Sequence, residues 1–142
     1  MRQDNRGFSL TEVLMVLLIS AVLITVTAGI VMHRFESSKE TSDKQLAQSV
    51  KMTIAATILQ YGEHPELCPM EEPVLIQRIE EDGVLYENLA TVLGYGPFEI
   101  PEHFLSKSYK NGAMFYQIDG DYHVTVMLSE DATPDGITYW TN

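Results

Sequence analysis

Glu12 is the single charged side chain in the 25 residues from Phe8 to Met32, and a lone carboxylate at one end of an apolar run has a definite chemistry open to it. It can neutralise a cation brought into the same apolar surroundings, where opposite charges attract strongly although each loses hydration. A plainer role is also open, because Glu12 lies only ~6 Å along a helix from Phe8. From there its carboxylate reaches the headgroup level of a membrane and avoids the ~2.5 to 3.5 kcal/mol quoted for a charge at mid-bilayer. The other reactive groups make no catalytic constellation. There is no Gly-rich phosphate loop, nucleophile elbow or paired-His metal motif, and the four histidines stand apart at His33, His64, His103 and His123. His64 and Cys68 are metal-ligand types without further partners of recognisable spacing. The stretch Ser129-Glu130-Asp131-Ala132-Thr133-Pro134-Asp135 has the composition of a calcium loop without its ligand spacing, and reads as an exposed turn. Cys68 is the only cysteine, so no disulfide closes within the chain, and it reads as a small buried residue. Neither a cofactor nor an enzymatic activity is expected.

These groups need elements to position them. Phe8 to Met32 is long enough for a helix of about 37 Å at ~1.5 Å per residue, which crosses a ~30 Å hydrocarbon core with some tilt. Beyond it, residues 33–61 contain no Pro or Gly and place Leu46, Val50, Ile54 and Ile58 at four-residue steps, one apolar stripe on a helix. Ala47, Ala55 and Leu59 widen the stripe, while Lys39, Asp43, Lys44 and Lys51 fall largely outside it. Gly62 and then Pro65 end the helix. Residues 62–142 leave room for one small domain. Pro73 to Glu81 and Leu85 to Leu93 are helical candidates, the second ending at Gly94. Ala113 to Ile118, Tyr122 to Leu128 and Gly136 to Thr141 read as three antiparallel strands, with Tyr122, Val124, Val126 and Leu128 on the side facing the helix stripe. The helical candidates are expected to cover the other face. Tyr95, Tyr109, Tyr116, Tyr122, Tyr139 and Trp140 read as core and sheet aromatics.

The short polar start, Met1 to Gly7, carries Arg2 and Arg6. A secretory signal peptide would place its cleavage site after the apolar core, and here the junction lies before it. Leader, Gly7-Phe8 junction, Glu12 and span together resemble a type IV prepilin, over Gly7 to about Ile30. The resemblance implies that a membrane prepilin peptidase cuts after Gly7 and methylates the amine of Phe8. It implies that Glu12 neutralises the N-terminal ammonium of a neighbouring subunit and sets the register of assembly. It also implies an α+β fold: a long N-terminal helix, half membrane-spanning and half amphipathic, packed on a small antiparallel sheet. The corresponding organisation is leader 1–7, span 8–32, amphipathic half 33–61 and head 62–142, with a variable region over 62–112. The family often carries a helix-breaking Pro within the apolar half. This chain has none before Pro65, and Gly29 stands near that place. With Thr25 and Thr27 able to bond to preceding carbonyls, Gly29 is expected to act as a mild hinge.

Charge limits the partners. Residues 62–142 hold 15 acidic and 3 basic side chains, a net of −12 in a chain of −11 overall, a surface that repels nucleic acids and anionic membranes. Direct nucleic-acid binding is therefore not expected. The implied partners are other copies or related pilins, the prepilin peptidase, a pilus assembly platform and the membrane. The head is expected outside the cytoplasmic membrane before assembly. Three readings stand at this point: a subunit of a type IV pilus for adhesion, motility or DNA uptake; a pseudopilin of a secretion or competence machine; and a monomeric membrane-anchored binding domain.

Overall fold

The computed structural model describes residues 9–142, so the leader, Gly7 and Phe8 lie outside the described residues. One helix, α1 (Leu10–Tyr61), is followed by β1 (Val74–Leu75), α2 (Val84–Leu93), β2 (Ala113–Ile118), β3 (Val124–Ser129) and β4 (Ile137–Trp140), with short 3-10 turns between them. The residues divide into two compact units at Phe35/Glu36.

In the second unit, from Glu36 onward, the four strands form one antiparallel sheet in the order β1-β2-β3-β4. Its α+β arrangement, a long helix on a small antiparallel sheet, is pilin-like. Ala47, Val50 and Ile54 of α1 share a buried core with Met114, Tyr116 and Ile118 of β2, Val124, Val126 and Leu128 of β3, and Leu85 and Leu89 of α2. Alternation along the strands accounts for this, since residues two apart face one side. On the reverse side Ala113, Phe115 and Met127 form a second cluster, joined by Leu75 and Ile137.

Both helix ends follow their glycines. Gly62 (φ 63°) and Gly94 (φ 81°) take the left-handed conformation, and their N–H groups donate to the carbonyls of Ile58 and Ala90. That conformation is open to Gly without the steric cost of a Cβ.

Several expectations need correction. Pro73 to Glu81 is not a helix: Val74 and Leu75 pair with Tyr116 and Phe115, adding a fourth strand, and a 3-10 turn follows over Ile76–Arg78. Pro73 fixes the entry, and pairing with β2 outweighs the weak local helix propensity. α2 joins the α1 core and does not cover the reverse face of the sheet. Tyr122 lies in the hairpin loop, not in β3. Asp119 Oδ1 accepts the N–H groups of Asp121 and His123, and Tyr122 sits at φ 60°. Leu59 is 88 % exposed, outside the buried stripe. Cys68 is exposed, with its thiol on the His64 carbonyl at 3.6 Å. Trp140 is also half exposed.

Asp43 is the largest correction. It is 1 % exposed, and its two carboxylate oxygens accept the N–H groups of Leu105 and Ser106 at 2.8 and 2.9 Å. Two helical turns earlier, Glu36 accepts the N–H of Lys107. Asp43 thereby satisfies the Ser106 N–H, a donor that would otherwise be orphaned in a buried residue, while the bonds to the exposed Leu105 and Lys107 fix the segment against the helix. At the other end of the chain, Thr141 closes the sheet by donating its N–H to Val126 O at 2.9 Å and accepting Val126 N–H on Oγ1 at 2.8 Å. Hydrogen bonding thus closes a C-terminus that holds no disulfide.

Candidate functional site

The first unit places Glu12 at the opening turn of α1. Ser9 N–H donates to Glu12 Oε2 at 2.9 Å, and Glu12 N–H donates to Ser9 Oγ at 3.2 Å. This reciprocal pair is a capping box, and it satisfies two of the donors that a helix N-terminus leaves open. The signal was present in the sequence as Ser9-Leu10-Thr11-Glu12, with Ser three residues before Glu. A negative group in the first turn also complements the helix dipole. The carboxylate is therefore held by the backbone N–H of Ser9.

From Val13 to Met32 the helix carries no charged side chain and its surface is mostly apolar. Sixteen large apolar residues between Leu10 and Phe35 are 45 to 85 % exposed, and α1 is long and apolar enough here to cross a membrane. At about 1.5 to 3 kcal/mol for each large aliphatic side chain, this surface in water would cost tens of kcal/mol. Thr25 Oγ1 donates to Ala21 O at 2.8 Å and Thr27 Oγ1 to Leu23 O at 2.9 Å, so both hydroxyls are satisfied within the helix, as helical Thr in apolar surroundings requires. α1 passes through Gly29 without a break, and a Cβ there would meet nothing within 4 Å. Glu12 and Gly29 lie ~25 Å apart along the axis and form no common site.

The acidic loop before β4 is organised by one carboxylate. Asp131 Oδ1 accepts the N–H and Oγ1 of Thr133 at 3.1 and 2.7 Å, and faces Ser129 Oγ at 3.0 Å. These bonds, led by the Thr133 hydroxyl, hold its pKa below the ordinary carboxylate range. At the β2–β3 loop the N–H of His123, then that of Asp121, does the same for Asp119. Burial raises the Tyr116 phenol above its usual value, with nearby Glu66 adding to the effect. Among the described residues no three His, Cys, Asp or Glu side chains are grouped to hold a metal ion.

Residues 2–28 match the family model of the prokaryotic N-terminal methylation motif. This is the prepilin-type signal of type IV pilins and pseudopilins. No curated protein and no solved structure matches the chain. The match ends before Gly29, so the family relation rests on the N-terminal segment.

Proposed function

We propose that the chain is a type IV pilin-like structural subunit, cut by a prepilin peptidase between Gly7 and Phe8, methylated at Phe8 and assembled through α1 into a helical filament. The observation that supports this reading is Glu12: a carboxylate bonded to the Ser9 N–H at the start of α1, followed by apolar helix surface that no other described residue covers. The matched motif supplies the processing chemistry by similarity.

Before assembly the span sits in the cytoplasmic membrane with the head outside. It can leave lipid only for another apolar place, and a bundle of identical spans provides one. Glu12 would then meet the amine of a neighbour's Phe8, fixing the axial register. A head-to-tail contact repeated by a screw operation gives an open filament, with adhesion, motility or DNA uptake as its work. Gly29 would let the helix flex within the bundle. No nucleotide-binding motif occurs in the sequence, so the work of extension comes from an ATPase of the assembly platform.

The test compares the chain with Glu12→Ala in cells that carry a prepilin peptidase and an assembly platform. The reading expects both to be processed and only the unaltered chain to appear in sheared filaments. Equal filament yields from the two would overturn it.

A further inference from the structure

The head carries 15 acidic side chains from residue 62 onward, yet one cleft on its surface is lined by no charged residue. It lies between α1 and α2, holds about 450 Å³, and is walled by Ser49, Met52, Thr53, Ala56, Thr57 and Gln60 of α1 and by Asn88 and Val92 of α2. Its mouth presents apolar side chains, Met52 at 72 % and Val92 at 62 % exposure, beside the uncharged amides of Gln60 and Asn88. Its floor is more apolar than its composition suggests. Ser49 Oγ donates to Gln45 O, Thr53 Oγ1 to Ser49 O and Thr57 Oγ1 to Thr53 O, so the donors of these hydroxyls are already spent on the helix backbone.

We infer that this cleft is a second assembly surface, and that its occupant is the apolar half of α1 from another copy of the chain. The inference rests on the filament reading above and extends the assembly contact from the span to α2 of the head. Chemistry selects the occupant. A charged partner would lose hydration at an uncharged surface without gaining a counter-ion, and a second head brings its own net charge of −12 and is repelled. A complementary surface must be long, uncharged and apolar, and Val13 to Met32 of another copy has that character, exposed along its length. Small residues on the α1 wall, Ser49 and Ala56, let a helix approach closely, while Met52 and Val92 supply flanking apolar contacts, Met adapting readily to irregular gaps.

Two measurements in assembling cells test it. In a Cys68→Ser background, a copy with Met52→Cys is co-expressed with copies carrying single cysteine substitutions scanned from Leu14 to Ile24. Oxidation is expected to join the two at positions three or four residues apart, the spacing of one helix face. Bridges between two Met52→Cys copies instead, or none at any scanned position in assembled material, would overturn the inference. Separately, Val92→Glu is expected to lower the assembled fraction by at least roughly tenfold, as an unpaired charge buried at a contact should, with processing at Gly7 and head folding unchanged. Full assembly of Val92→Glu would sink the cleft's role and leave the filament reading standing. Full assembly of Glu12→Ala would count against the filament reading itself.

Discussion

Replacing Asp43 by Ala removes a buried carboxylate that no sequence pattern marks as structural, and its cost can be worked from four groups. Two charge-assisted bonds are lost, each worth about 1.5 to 3 kcal/mol. Ser106 N–H is left without a partner in a residue 1 % exposed, and that desolvated donor contributes most of the penalty. Leu105 is 59 % exposed, so its N–H can turn to water and costs less. Relief of the desolvation borne by the carboxylate offsets part of the total. The net expectation is a loss of about 2 to 4 kcal/mol, a large share of the ~5 to 15 kcal/mol that holds a domain together, and a fall in Tm of roughly 10 to 25 °C. The assay is equilibrium unfolding of the full chain in detergent micelles, followed by the fluorescence of Trp140, the only tryptophan. Glu36→Ala is the control, because Glu36 makes a similar bond to Lys107 N–H while 32 % of its side chain stays exposed; less than about 1 kcal/mol is expected there. A loss below about 1 kcal/mol for Asp43→Ala, or equal losses for the two variants, would refute the reasoning.

Head stability should fall at both ends of the pH scale. Asp119 and Asp131 have lowered folded pKa values, so their contribution is present above the unfolded carboxylate value of about 4 and lost as pH drops through the folded values. Tyr116 has a raised folded pKa, so its contribution is complete below about pH 10 and lost as pH climbs through the folded value; Tyr116→Phe should flatten that alkaline limb in pH-dependent unfolding curves. Gly112→Ala drives a Cβ into the backbone carbonyl of Ser129, and because backbone cannot swing aside we expect a loss of about 2 to 4 kcal/mol in urea unfolding. Thr141→Val keeps the shape but strands the buried Val126 N–H, at about 1 to 3 kcal/mol, with faster amide exchange at Val126 as the local readout.

What the sequence made legible was local. The Gly7, Phe8 and Glu12 pattern needs only neighbours in the chain, as do the apolar run of α1, the glycine ends at Gly62 and Gly94, and the alternation of β2 and β3. Contacts between distant segments stayed hidden. β1 is two residues long and exists through its pairing with Phe115 and Tyr116, so no period could mark it. Asp43 sits among charged neighbours that periodicity assigns to solvent, and it is buried because a segment some sixty residues later presents N–H groups to it. Leu59 shows the converse: its helical spacing continues the apolar pattern, yet the residue stays exposed. The Ser9–Glu12 capping box is local too, but its Ser-x-x-Glu spacing was passed over and the structure revealed it, whereas the uncharged cleft needed α2 placed beside α1.

The measurement that bears most directly on the account is the N-terminal mass of the chain isolated from membranes of cells with an active prepilin peptidase. The account predicts a chain beginning at Phe8 and carrying one added methyl group on its amine. A chain that still begins at Met1 in those cells would contradict it, because without a freed amine at Phe8 Glu12 has no cation to meet.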